Sequence, residues 1–425
     1  MTAAQADDRP MEGEAGDGWA EWRQNWPLVV TATVGMSITA VHLYSMGVLL
    51  DPIRADTGWS RTEITFGQTI SSAISIVLAP VCGMMMDRWG ARRIVLPGSI
   101  VFCLGLMAVG LTGHSLLMWY AMWSILSLGL IGLKPNVWVG AVSQPFVVTR
   151  GLAFAIVISG VGLCSATVPS IANYLLGHYG WRGAYVGLGV IWLILVLPLS
   201  FLFLRTTPDR RTADRSPRGI GVSVAAGLRS RAFARLAVAG FLFSVALVAV
   251  LLHFVPMMVD HGIGRTTAAG VAGLIGVFSI VGRLITGMLL DRFSGRRVGG
   301  ISFMLPIVPM LLVLFFELGT GGWIAAAILF GLSVGAELDV LAYLSTRHFG
   351  LRNYATLFGF IISVLAAATS LGPIIASMLR DATGSYQVFI WATLPAFAIS
   401  ALAIWTLPDY PLFAVDDVPS EPPSV

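Results

Sequence analysis

A chain of 425 residues in which 56% are hydrophobic and only 11% charged falls outside the soluble globular class, where roughly a quarter of residues carry charge. Its mean hydropathy of +0.82 and its recurring long apolar runs identify a polytopic membrane protein. The net charge of +4 follows from how arginines are spread between those runs and implies no nucleic-acid partner.

Residues 1–25 are polar and rather acidic up to Glu21 and read as a tail without signal-peptide character. Twelve apolar segments follow, each near the roughly 20 residues that a spanning helix needs. Segment 1 (26–50) holds His42 and Tyr44, and segment 2 (64–86) runs into a loop with Asp87, Arg88, Gly90, Arg92 and Arg93. Segment 3 covers 94–113. Segment 4 (116–140) contains Asn136 and Lys134, the only lysine of the chain. A cation near the bilayer centre costs at least about 2.5 kcal/mol on insertion scales, so Lys134 marks a substrate or ion path by default. Segments 5 (151–176) and 6 (183–204) complete a six-helix unit, 26–204. The linker 205–234 follows; eight arginines lie between Arg205 and Arg235, a pattern that anchors topology beside anionic headgroups. Segment 7 (235–258) holds His253, segment 8 (267–290) holds Arg283 and leads into Asp291 and Arg292, and segment 9 covers 299–317. Segment 10 (322–346) holds Glu337 and Asp339, and segments 11 (354–379) and 12 (386–407) close a second unit, 235–407, before the tail 408–425. Cys82, Cys103 and Cys164 all fall inside segments, so neither a disulfide framework nor a metal site is expected.

Orientation follows from the basic residues. Arg54, Arg61, Arg182, Arg265 and Arg380 lie on the face away from the termini and Lys134 and Arg283 within the membrane, which leaves 19 of 26 on the terminal side. Positively charged loops stay inside, so both termini are expected in the cytoplasm. With 25 arginines against one lysine and abundant alanine and glycine, the composition points to the inner membrane of a GC-rich bacterium.

An internal repeat divides the chain. Gly83, Asp87 and Arg88 recur 204 residues later as Gly287, Asp291 and Arg292, and the same offset carries Pro169 onto Pro373 and Gly180 onto Gly384. Six helices have been duplicated in tandem. The first loop, Gly83-x-x-x-Asp87-Arg88-x-Gly90-x-Arg92-Arg93, fits the signature between helices 2 and 3 of the major facilitator superfamily, which the chain resembles over its membrane region. That resemblance implies two pseudo-symmetric six-helix bundles, an all-α fold, and a conformational latch at this loop; the second copy is degenerate, with Ser294 in place of the glycine. Asp51-Pro-Ile-Arg54, Trp59-Ser60-Arg61-Thr-Glu63, Arg150-Gly-Leu-Ala153 and Gly282-Arg283 resemble the monocarboxylate-transporter branch. The animal members carry an aspartate four residues before that arginine; here the position is Ser279, so an acid at that position cannot carry a proton.

In a two-repeat transporter the site lies near the midplane between the halves, and the resembled superfamily lines it with helices 1, 4, 7 and 10. Those helices hold His42, Tyr44, Lys134, Asn136, His253, Glu337 and Asp339. A guanidinium presents a planar fork matched to a carboxylate, so Arg283 is expected to bind an anion, assisted by Lys134, Tyr44, Asn136 and His253; its alternative is a structural ion pair with Glu337 or Asp339. Lys134 faces the same choice between substrate and an acid of segment 10. Glu337 and Asp339, about 200° apart on a helix, cannot face one cavity together. Asp339, Tyr343 and Arg347 form one stripe, and Glu337, Asp339 and His42 are the groups that could carry a proton.

No nucleotide-binding loop, metal-ligand spacing or nucleophile–base pair is visible, so neither catalysis nor a cofactor is expected. The reading is a secondary transporter, monomeric in the bilayer, whose partners are a small organic monocarboxylate and a proton moved together by alternating access. An organic-anion exchanger or a drug/proton antiporter on the same fold is the alternative.

Overall fold

The computed structural model describes residues 18–204, 221–316 and 319–411. The expectations for most of the tails and for the linker through residue 220, with Arg205, Arg210, Arg211, Arg215 and Arg218, lie outside these residues. Among the described residues eleven continuous helical stretches are long and apolar enough to cross a membrane. They make twelve crossings, because the stretch Arg150–Phe203 contains two. At its middle Gly180 takes φ 66°, ψ 179°, a conformation open to glycine and strained for other residues, and the chain reverses there with almost no loop.

Helices overrun their apolar cores at both ends. Segment 7 is helical over Arg231–Asp260 and segment 10 over Thr320–Phe349, since backbone hydrogen bonding continues where hydropathy stops. Segment 1 begins at Gly18, so part of the expected tail is helix. Four segments expected to be continuous are interrupted: segment 1 by a 3-10 turn at Ile38–Ala40, segment 5 at Ser159, and segments 4 and 9 at prolines. Segment 4 consists of Leu116–Ile131 and Pro135–Val142, with Lys134 extended at φ −64°, ψ 159°. Pro135 lacks an N–H and disfavours helical geometry in the residue before it. Segment 9 is interrupted at Leu305 and Pro306, where both residues keep helical dihedrals and the proline lacks an N–H to donate.

Close helix approach fixes the depth and facing of the interior. Segments 8 and 10 pack backbone to backbone: a Cβ on Gly335 would lie 2.6 Å from the Arg283 nitrogen and against the Ser279 carbonyl, and one on Gly282 would strike the Leu332 carbonyl. Glycine is needed for such contact. Replacing Gly335 with valine should therefore displace segment 8 at Arg283 and cost about 1–3 kcal/mol by overpacking, read as a lower melting temperature in detergent. The halves meet along two seams, segment 2 against 11 and segment 5 against 8. Gly83 abuts the Ala355 carbonyl, and Gly287 approaches the Gly151 carbonyl. The second contact is the first repeated at an offset of 204 residues.

On the face away from the termini the repeat is also visible. Asp56 at the end of segment 1 pairs with Arg182 at 2.6 Å and accepts from the Trp181 indole at 3.2 Å, and Asp260 at the end of segment 7 pairs with Arg380 at 3.2 Å. Trp59, Trp119, Trp181 and Tyr185 interlock edge to face above segment 4. Segment 2 starts with a reciprocal cap between Ser60 and Glu63, which satisfies otherwise orphaned amides. The motif Trp59-Ser60-Arg61-Thr-Glu63 thus has a local structural cause.

Candidate functional site

A cavity of about 230 Å³ lies between the halves, lined by Tyr44, Gly162, Ser165, Leu251, Gly276, Ser279 and Arg283, with the aliphatic side chains of Val161, Ile275, Ile280 and Val334. Arg283 is its one cationic group. It stands eight residues before Asp291, hence about 12 Å from the terminal-side end of segment 8. Its guanidinium lies 3.4 Å from Asp339, whose side chain is wholly buried while that of Arg283 is 12% exposed. Charge-assisted contacts of full strength measure roughly 2.7–2.9 Å, so this pair is loose and leaves donors facing the cavity. Tyr44 and Ser165 line the same cavity as Arg283.

Glu337 turns away from Asp339, as their angular separation requires, and accepts a short hydrogen bond from Ser244 on segment 7. Asp339 leaves the stripe expected with Tyr343 and Arg347. Those two line a small cleft with Asp291, Arg292 and Tyr410 at the terminal-side surface, where the Arg347 guanidinium lies 4.7 Å over the Tyr410 ring.

The cavity walls come from segments 1, 5, 7, 8 and 10, and segment 4 contributes none of them. The break at Pro135 sends the lower half of segment 4 into the seam with segment 11. There Asn136 is fully buried and donates to the Ala355 carbonyl at 3.2 Å, and Trp138 packs against Gly35. Lys134 sits at the break, and both acids of segment 10 are engaged elsewhere. Its charge is felt by His42, whose ring stands edge-on to Phe102 and Trp123. His253 shares a 3.2 Å hydrogen bond with Tyr386 on segment 12 and lies outside the cavity lining. Tyr44 and Arg283 are therefore the two expected substrate contacts that the structure brings to one cavity.

Below the cavity the residues expected to act as a latch bridge the two halves on the terminal side. Asp87 accepts from the Ala355 and Thr356 amides at 3.1 and 2.8 Å and from the Thr356 hydroxyl at 2.5 Å, capping the first turn of segment 11. Asp291 accepts from the Gly151 and Leu152 amides at 2.6 and 2.9 Å at the start of segment 5. Both carboxylates thus use the positive end of a helix belonging to the other half. Gly90 turns the loop with φ 81°, and Arg92 lies 4.7 Å over the Phe201 ring. Arg88 and Arg292 sit in the last turns of their helices, where cations complement the helix dipole.

Two side chains that hold expected site residues or their partners in place carried no mark in the sequence. Ser244 is one serine among many in apolar helices. Glu21, at the edge of the expected tail, accepts from the amides of Val147, Val148 and Thr149 at 2.9, 3.0 and 3.1 Å and from the Thr149 hydroxyl at 2.9 Å. It thereby holds the turn that presents Gly151 and Leu152 to Asp291.

A family model described as Major Facilitator Superfamily matches residues 28–364. Relatives include monocarboxylate transporter 11 of Mus musculus, 27% identical over 404 residues, with 88% of this chain and 84% of the relative covered. Monocarboxylate transporter 13 of Bos taurus is 26% identical over 400 residues, covering 93% and 91%. Among solved structures, the transporter FucP in its outward conformation superposes with a TM-score of 0.70 at 13% identity, covering 89% of this chain and 97% of that one. The human organic anion transporter MFSD10 (TETRAN) does so with a TM-score of 0.69 at 14% identity, covering 89% and 99%. At those identities the two structures show a shared fold.

Proposed function

We propose that this chain, which belongs to the major facilitator superfamily, is a secondary active transporter that carries small organic monocarboxylates with protons by alternating access. The observation that carries the reading is Arg283, a cation held loosely by Asp339 at the base of an otherwise uncharged cavity between the halves. An incoming carboxylate can take the free donors of the guanidinium. Glu337, held by Ser244 one segment away, is the proton acceptor. Loading pairs the free guanidinium donors with the carboxylate and protonates Glu337, and a site whose charges are paired or protonated can be closed off from water at lower cost than one with an unpaired charge. The relatives' names point to the same substrate class.

On this reading the arginine-rich face is cytoplasmic, in the inner membrane of a bacterium, and the closed terminal-side seams support an outward-facing state. One chain in the bilayer is the working unit, with neither cofactor nor catalysed reaction. A drug/proton antiporter on the same fold fits less well, because pockets for drug-sized ligands measure roughly 300–1,000 Å³ against about 230 Å³ here.

The test is uptake into proteoliposomes with an acidic exterior. The native protein should concentrate a labelled 2-oxo acid about tenfold per pH unit for one proton per acid, and a protonophore should abolish the concentration. Glu337→Gln should lose accumulation while still exchanging labelled for unlabelled acid. Accumulation that survives either treatment would remove the proton from the mechanism or Glu337 from its role.

A further inference from the structure

The shape of the cavity says more about the acid than that it bears one carboxylate. Gly276, Ser279, Ile280 and Arg283 lie on one face of segment 8 at helical spacing. Seven residues separate Gly276 from Arg283, so the lining rises about 10 Å along the helix from the cation towards the face away from the termini. The charged and acidic side chains stand at the lower end, where Arg283 meets Asp339 and Ser244 meets Glu337. Seven residues above Ser244 on segment 7 is Leu251; five residues above Asp339 on segment 10 is Val334. Both line the cavity with Ile275 and Gly276. Towards that face segments 7, 8 and 10 line it with aliphatic side chains and Gly276, while segments 1 and 5 bring Tyr44 and Ser165 to it.

Gly276 has a particular place in this wall. A Cβ built on it meets nothing within 4 Å, whereas one on Gly162 across the cavity would come within 2.9 Å of Ile280. Close packing therefore gives no reason for glycine at 276, and the missing side chain is cavity space. The total, about 230 Å³, equals the liquid volume of roughly eight waters. An acid whose tail is a single methyl would leave the upper part wet.

We infer that the site selects monocarboxylates with a bulky apolar tail, a branched chain or one aromatic ring, over lactate-sized acids, and that Gly276 makes room for the tail. This rests on the monocarboxylate reading. The carboxylate sits on Arg283, and the tail runs up segment 8 between Leu251, Ile275 and Val334. Apolar pockets discriminate modestly, by about 10- to 200-fold for a methylene, so the expected preference is at least tenfold.

Matched acids that share a head and differ in the tail test it: pyruvate, 4-methyl-2-oxopentanoate and phenylpyruvate, taken up by proteoliposomes under an inward proton gradient, with protein-free vesicles subtracted. Either tailed acid should half-saturate uptake at a concentration at least tenfold below that of pyruvate. Gly276→Leu, which fills the upper cavity from a position with open space, should lower the ratio of phenylpyruvate to pyruvate uptake at least tenfold, and Gly276→Ala should lower it less. Size-exclusion profiles establish that each variant is folded, and the native preference decides the matter should the leucine variant fail to fold. Pyruvate preferred or equal, or a folded Gly276→Leu protein with an unchanged ratio, overturns the tail assignment and leaves the monocarboxylate reading standing. No gradient-driven uptake of any of the three overturns both.

Discussion

Arg283→Ala should abolish acid uptake and also destabilise the protein, by about 3–5 kcal/mol, because it strands the wholly buried Asp339 carboxylate. The two effects come apart in the double variant. Arg283→Ala with Asp339→Ala removes both charges, which is often neutral for stability, so melting should return towards the native value while uptake stays absent. If the double variant transports, Arg283 is a structural partner of Asp339 and binds no substrate. If the single variant melts like the native protein, the 3.4 Å pair holds nothing together. Asp339→Ala alone frees the Arg283 guanidinium from its ion-pair partner, and should bind the anion more tightly and release it more slowly.

The second large effect is expected at the latch. Asp87→Ala takes away three hydrogen bonds to the first turn of segment 11. Charge-assisted bonds contribute about 1.5–3 kcal/mol each, discounted here because the group is reached by water. A net loss of about 2–3 kcal/mol shifts the closed-to-open ratio roughly 30- to 150-fold. A cysteine placed at Ala155, buried in the seam of segments 5 and 8, reports the opening through its rate of labelling by an impermeant maleimide, once Cys82, Cys103 and Cys164 have been replaced. Labelling should accelerate by that factor in Asp87→Ala. Asp291→Ala should give a smaller increase, since Asp291 accepts two bonds where Asp87 accepts three: Leu152 stands where the other repeat has Thr356. Equal rates in all three proteins would mean that these carboxylates do not govern closure.

The loop carrying Asp87 was legible because glycine, acid and arginine at fixed spacing are uncommon beside an apolar helix, and the repeat located its counterpart at Asp291. Their partners were not legible, for Asp87 bonds an amide 268 residues away and nothing in an amide marks it in advance. Arg283 was legible for its cost: a cation in an apolar run needs a reason. Lys134 was conspicuous on the same ground, yet hydropathy reports depth and not direction. The break that Pro135 imposes rotates the lower part of segment 4 into the seam, so Asn136 was assigned to the cavity and is found holding Ala355. Helix ends were set too short wherever polar residues continue the hydrogen-bonded spiral. Glu21 escaped notice because it lies among acidic residues of a tail, and only the folded turn 147–149 gives its carboxylate a purpose.

The reversal at Gly180 has a practical corollary for anyone seeking a handle on that face. The first half returns there through Gly58 to Ser60, through Leu111 to Ser115 and through Gly180 itself, so an approaching antibody finds helix stubs and little loop to embrace. A flat paratope has scarcely an epitope. A nanobody with a long third loop, which inserts into concave surfaces, can reach instead for the groove between the halves, and its grip would follow whichever way that groove faces.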